Sequence, residues 1–235
     1  MSLIIENSFW EIFPDAEIGV LLLEDLDNSQ PSSQAVLDLL AQAHTDARTH
    51  LQAETLSANA AVAVWREAYR RFKTKKGARA SIEALLKRVE SGRGVGSINP
   101  LVDIYNAASL RYGLPCGAED ADTFAGDVRL GVTAGGDAFY ALGEADNNPT
   151  LAGEICYRDD AGAVCRCLNW RDGQRTMLTE HSRRALVVME YPDGSRRADM
   201  QAALALIAET AVRELGASVA AQALLCRQEP QLLWT

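Results

Sequence analysis

The stretch Ser97-Ile98-Asn99-Pro100-Leu101-Val102-Asp103-Ile104-Tyr105-Asn106, continuing to Leu110-Arg111-Tyr112-Gly113-Leu114-Pro115, divides a helix-rich beginning from a strand-rich middle. At about 100° per residue, Asp103 falls roughly 40° and Asn106 roughly 340° from Asn99, while Leu101, Ile104 and Ala108 gather on the opposite side. Leu110 breaks the pattern near the end, where Tyr112, Gly113 and Pro115 stop the helix. The helix is either an ordinary amphipathic one or one whose Asn99, Asp103 and Asn106 line a polar pocket.

Before it, the apolar run Ile18 to Leu23 ends in Glu24, Asp25, Asp27 and Asn28, as a buried strand entering a turn does. Val36, Leu37, Leu39 and Leu40 follow Pro31, Ser32 and Ser33 at helical spacing, which predicts a serine-capped helix. Asn59 is placed to cap a second helix through Phe72 that Gly77 ends, and Ser81 to Val89 reads as a third, stopped by Ser91, Gly92 and Gly94.

After Gly126 the texture changes. Val128, Leu130 and Val132 alternate, Thr133 to Asp137 supplies a glycine turn, and Phe139 to Leu142 is expected to return as a strand. Ile155 to Arg158 and Ala163 to Trp170 predict a hairpin around Asp159, Asp160, Ala161 and Gly162, and Ala185 to Tyr191 a buried strand. Met200, Leu204, Ile207, Ala208, Ala211 and Leu215 share a helical face that Gly216 closes. With no linker and no repeat, the expectation is a single α+β domain over residues 1–235, a mainly antiparallel sheet bracketed by helices. It is helix-rich over 1–115 and strand-rich over 126–191, with a C-terminal helix at about 197–215.

The chain has 235 residues, 48% of them apolar and 23% charged, which is globular composition. No uncharged apolar run approaches the roughly 20 residues that span a bilayer, and the amino terminus does not read as a signal peptide, so the expectation is a cytoplasmic protein away from membranes. Five cysteines, an odd count, are expected as reduced thiols. The net charge of −9 is uneven: from Arg66 to Arg93 ten Lys and Arg face three Glu, a local +7, so the remainder carries −16. Such a stretch is either a solvated helical face or a local phosphate-binding surface on a body that repels nonspecific polyanion.

No phosphate-binding loop, nucleophile elbow or His-Glu-x-x-His pair occurs, which takes most of the support from ATPase, serine-hydrolase and zinc-protease readings. His44, His50 and His181 lack ligand spacing and are assigned to surface or capping roles. Cys165 and Cys167, one residue apart on a predicted strand, share a face as small buried hydrophobes; no metal and no cofactor is expected. Asn169, Trp170 and Arg171, followed by Asp172, Gln174, Arg175 and Thr176, combine an amide, an indole and guanidinium groups suited to a nucleotide-bearing ligand. Asp159 and Asp160 either make the hairpin turn or present their carboxylates from it.

From Ser97 to Pro115, then Gly126-Asp127-Val128-Arg129-Leu130, Tyr157-Arg158-Asp159-Asp160 and Asn169-Trp170-Arg171, the chain resembles the B3/B4 domain of the phenylalanyl-tRNA synthetase beta chain, over roughly Leu85 to Tyr191. The resemblance implies the mixed α+β fold of that family and an editing pocket that hydrolyses tRNA carrying the wrong amino acid. For a freestanding version it implies a trans-acting deacylase. Bacterial synthetases carry His-Ala-Phe-Asp after the Gly-x-Pro turn, where this chain has Gly117-Ala118-Glu119-Asp120; Gly117 replaces the editing histidine, and Glu154 is a candidate for the pocket glutamate.

An aminoacyl ester is already activated, so its hydrolysis requires a positioned water and a stabilised oxyanion more than a strong nucleophile. On this reading Asn169 and Asn106 orient carbonyl or water, and Asp159 or Asp160 accepts a proton or anchors the substrate amino group. Trp170 stacks on the terminal adenine or walls the pocket, Arg171 and Arg175 meet phosphate, and Asn99 and Asp103 help bind substrate. Arg70, Arg71, Lys73, Lys75 and Lys76 hold the tRNA, with binding to a synthetase as a further expectation. The alternatives are a noncatalytic module that binds tRNA, an amino acid or a synthetase, and a domain that mediates protein interactions alone.

Overall fold

The computed structural model describes residues 1–234. Two sheets form its frame. The first runs β10-β1-β4-β5-β6-β7, built from β1 (Ser2–Ile5), β4 (Val128–Val132), β5 (Ile155–Asp159), β6 (Gly162–Arg166), β7 (Arg171–Asp172) and β10 (Gln231–Leu233). The second runs β3-β8-β2-β9, from β2 (Glu17–Glu24), β3 (Cys116–Asp120), β8 (Ala185–Tyr191) and β9 (Ser218–Leu225). All pairings are antiparallel except β1 with β4. The expected α+β class and antiparallel character hold, with two sheets where the sequence suggested one.

The apolar run at Ile18 to Leu23 is the centre of the second sheet: β2 lies between β8 and β9, and its middle is fully buried. Burial on both faces explains why the run is continuous and does not alternate. Helix α6 (Arg197–Leu215) packs across this strand. A Cβ at Gly19 would stand 2.8 Å from the Met200 side chain and 2.9 Å from Leu204, so glycine is required for that close approach.

Helices α1 (Asn7–Ile12), α2 (Gln34–Asp46), α3 (Ala60–Ala68), α4 (Ser81–Glu90) and α5 (Pro100–Tyr112) complete the fold. Ser33 caps α2 by accepting from Val36 N at 3.3 Å. Asn59 occupies the N-cap position of α3, but its side chain turns back to accept from Ala53 N at 2.8 Å, and the helix ends at Ala68 rather than Phe72. His44 accepts from Val95 N, and His50 Nε2 meets Arg111 O at 3.0 Å, so both serve connecting turns.

Two expectations about strands fail. Phe139 to Leu142 does not return on β4, whose antiparallel partner is β5; Asn147 Oδ1 accepts from Phe139 N, and Ala138 O accepts from Ala163 N, fixing this stretch as a loop beside β6. The strand from Ala163 stops at Arg166, because Cys167 and Leu168 take left-handed φ values of 49° and 59°. That turn breaks the alternation expected to put Cys165 and Cys167 on one face, although both are buried. All five cysteines are free thiols. No helix among the described residues is long and apolar enough to cross a membrane.

Candidate functional site

Helix α5 ends at Gly113 in the left-handed conformation, φ 64°, and the chain passes through Leu114 and Pro115 directly into β3. Gly117 opposes Val188 and Glu119 opposes Leu186 across the β3–β8 ladder. Period-two alternation then puts Gly117 and Glu119 on one face of β3, and Leu186, Val188 and Glu190 on one face of β8. These residues, with Val128 of β4, Tyr157 of β5, Val164 and Cys165 of β6, and Asp172 of β7, enclose a cavity between the two sheets. Its free volume is about 20 Å³, enough for a water-sized guest.

Three carboxylates face this small space. Glu190 accepts from the Tyr157 hydroxyl at 2.8 Å and from Asn169 Nδ2 at 2.9 Å, and burial pushes its carboxyl up to about 7. Glu119 is raised well above the usual carboxylate range, first by burial and then by the charge of Asp172; burial also raises Asp172. Glu119, Cys165 and Asp172 bring an oxygen, a sulfur and an oxygen within 4.8 Å of one another.

Asn169 is the partition between this cavity and the surface. Its Oδ1 accepts from the backbone N–H of Ser81 at 3.0 Å, at the start of α4, while its amide nitrogen reaches Glu190 inside. Outside Ser81 lies an open groove of about 820 Å³, lined by Lys76, Arg79, Lys87, Arg88, Arg93 and Arg171, with Trp170 among them. The Arg171 guanidinium lies 5.9 Å from the Trp170 ring centre and pairs with Glu144 at 2.9 Å. Among the described residues, Lys76, Arg79, Lys87 and Arg93 have no acidic partner, so the groove carries uncompensated positive charge on an acidic protein.

The residues singled out from the sequence therefore separate. Asn169 lines the cavity; Trp170, Arg171 and Lys76 line the groove. Asn106 is buried on α5 outside both. Asn99 caps α5 by accepting from Val102 N at 3.0 Å. Asp103, fully buried, accepts from Ser32 Oγ at 2.5 Å, from Ser97 Oγ and from Ile98 N at 2.8 Å, so it ties two loops to α5 and lines neither the cavity nor the groove.

Asp159 accepts from Ala125 N, Ala161 N and Arg175, the last at 2.6 Å, which commits both Asp159 and Arg175 to the β5–β6 turn; Asp160 is exposed there. Arg70 pairs with Glu67, and Arg71 lies over Phe13 and donates to Ile12 O; Lys73 sits beside Gly153, and neither it nor Lys75 lines the groove. Glu154 is not the cavity glutamate, because it forms a fully buried ion pair with Arg166. Sequence reasoning missed Glu119 and Glu190 as cavity groups and Arg79, Lys87, Arg88 and Arg93 as groove cations. The cations were in the basic stretch; which of them converge is decided by how α4 packs.

The sequence matches the B3/4 domain family over residues 64–222, and the chain belongs to that family. Its fold is similar to that of an N-terminal fragment of the phenylalanyl-tRNA synthetase beta-subunit from Pyrococcus horikoshii. The TM-score is 0.51 at 10% identity, over 92% of this chain and 49% of that one, so the chain spans about half the length of that fragment. A search of curated proteins by sequence finds no match.

Proposed function

We propose that the protein hydrolyses, in trans, the ester bond of tRNA carrying the wrong amino acid. The observation that supports this most directly is the adjacency at Asn169: a basic groove containing an indole lies on one side, and an enclosed carboxylate cavity on the other. Groove cations hold phosphates of the acceptor end electrostatically, and Trp170 offers a stacking surface to the terminal adenine. The 3′ ribose then lies near Asn169, with the aminoacyl group directed at the cavity.

Entry of an aminoacyl group requires side chains to move, since the closed cavity holds only a water-sized guest. Gly117 supplies part of the room: a Cβ there would meet nothing within 4 Å. At the place of the family's histidine there is open space, so water is oriented by the cavity carboxylates and by the ribose hydroxyls of the substrate. Glu190, titrating near neutrality, is matched in strength to accepting that water's proton. Compared with the sequence reading, the proposal retains Asn169 as a positioning residue with Trp170 and Arg171 as ligand-binding groups, and moves the acid–base role from the Asp159–Asp160 turn to the cavity.

The test is release of amino acid from a panel of correctly and incorrectly charged tRNAs by the purified protein, with Asn169→Ala and Arg171→Ala alongside. Catalytic release from one misacylated set, lost in the variants, supports editing. Salt-sensitive tRNA binding without release above background replaces it with a noncatalytic binding module.

A further inference from the structure

The cavity between the sheets is lined by three carboxylates and by no lysine, arginine or histidine. Glu190 has both oxygens occupied, by Tyr157 and Asn169. Glu119 does not: it is 6% exposed, and neither carboxylate oxygen has a hydrogen-bond partner of ordinary geometry, although Thr176 and Asp172 lie near enough to bias its proton. Thr176, fully buried on the segment that pairs with β3 through Asp120 N and Thr176 O at 2.7 Å, also has an unpaired hydroxyl. A buried carboxyl without a partner costs free energy whether or not it holds its proton, and once ionised Glu119 would also face the Asp172 carboxylate nearby. A cationic donor with several N–H bonds would satisfy both carboxyl groups in their ionised form.

Size and surroundings narrow the class. The free volume of about 20 Å³ matches a head group no larger than a water, and Gly117, on the same face of β3 as Glu119, leaves an open flank for the side-chain movement that the rest of the ligand requires. Phe124, Val128, Val164 and Leu186 form apolar walls suited to the methylene groups behind such a head. A soft divalent metal ion would need the Cys165 thiolate, but that thiol is donating to Leu168 O at 2.9 Å. Two carboxylates and a hydroxyl match the three N–H donors of a primary ammonium.

We infer that the Glu119–Asp172 end of the cavity is a receptor for a primary ammonium group, carried by the aminoacyl ligand either at its α-carbon or at the end of its side chain. The inference rests on the proposed function for the identity of the ligand as an aminoacyl nucleoside, and its test uses no hydrolysis. Three non-hydrolysable adenosine 3′-amides serve as probes on the full chain: norleucyl, with an α-ammonium only; Nα-acetyl-lysyl, with a side-chain ammonium only; and Nα-acetyl-norleucyl, with neither. Affinities are measured by calorimetry.

At least one ammonium probe binds roughly tenfold or more tightly than the neutral one, as charge-assisted hydrogen bonds predict. Which probe does so identifies the source. The preference collapses in Glu119→Gln, an isosteric change, and in Asp172→Asn, which carries the same readout should the first variant not fold. Equal binding of the three probes overturns the inference, as does a preference that survives in both variants. Stoichiometric zinc in the purified protein, lost in Glu119→Gln, overturns it in favour of a metal site. An ammonium preference without deacylation of any charged tRNA leaves the receptor standing and removes the enzyme reading, so the two fail separately.

Discussion

Asn169 donates to Glu190 Oε2 at 2.9 Å across the wall of the cavity, and the same amide accepts from Ser81 N at 3.0 Å at the head of α4. One side chain thus couples the helix that carries Lys87 and Arg88 to a carboxylate that titrates near neutrality. A change at Asn169 is felt on both sides of the wall.

Asn169→Ala leaves the Ser81 N–H and one Glu190 oxygen without partners. The expected loss is on the order of 1–3 kcal/mol of stability, the usual penalty for an abandoned buried hydrogen-bonding group. Urea unfolding measures it, and an unchanged midpoint would show that water replaces the amide.

Glu190 titrates near 4.5 when unfolded and about 7 when folded. Between those values the unfolded chain releases the proton first, so this group lowers stability as pH rises from about 4.5 to about 7 and adds no further change above. Its slope is at most about 1.4 kcal/mol per pH unit. Glu119 and Asp172, also raised by burial, act in the same direction. Denaturation of the wild type and Glu190→Gln across this window is expected to show a shallower decline in the variant; parallel curves would assign the decline to the other two carboxylates.

Groove cations should reveal themselves through salt. Lys87→Glu combined with Arg88→Glu is expected to weaken tRNA binding and to reduce the slope of log K against log salt by roughly 0.7–0.9 for each phosphate no longer neutralised. Arg70→Glu, at a side chain already paired with Glu67, serves as the comparison and should change the slope less. Equal effects at the two places would move the binding surface away from the groove.

The Arg166–Glu154 pair is sealed, at 1% and 0% exposure, with Arg166 also donating to Asn148 O at 2.7 Å. Removing the cation alone, in Arg166→Met, strands a buried carboxylate and is expected to cost about 3–5 kcal/mol. Adding Glu154→Leu should restore a large part of it. A double-mutant cycle by chemical denaturation reads both numbers, and additive losses would contradict the coupling.

Much of the frame was legible because period and burial agree. The run at Ile18 to Leu23, the alternation from Val128 to Val132 and the helical faces around Leu101 and Leu204 each state what they pack against. The site was less legible. The polar face of α5 has the right spacing, yet Asn99 and Asp103 are consumed by capping and by loop anchoring, functions that spacing cannot separate from ligand binding. Glu119 and Glu190 became cavity residues only when β3 and β8 paired, a long-range register that no local pattern encodes. Short elements such as β1 and β10 lack a periodic signal because each contributes only three or four residues.

The pairing of those two elements has a consequence for how the polypeptide is threaded. β1 and β10 lie antiparallel, Met1 N donates to Trp234 O at 2.9 Å, and Trp234 N returns the bond to Met1 O at 3.0 Å. Beginning and end of the described chain are therefore next-door neighbours, and the path is topologically close to a ring. A short peptide joining them, with new termini opened in the exposed residues near Asp146, should give a circular permutant that folds to the same two sheets. The same closeness would let a longer polypeptide enter and leave such a module through two adjacent strands at one side of the first sheet.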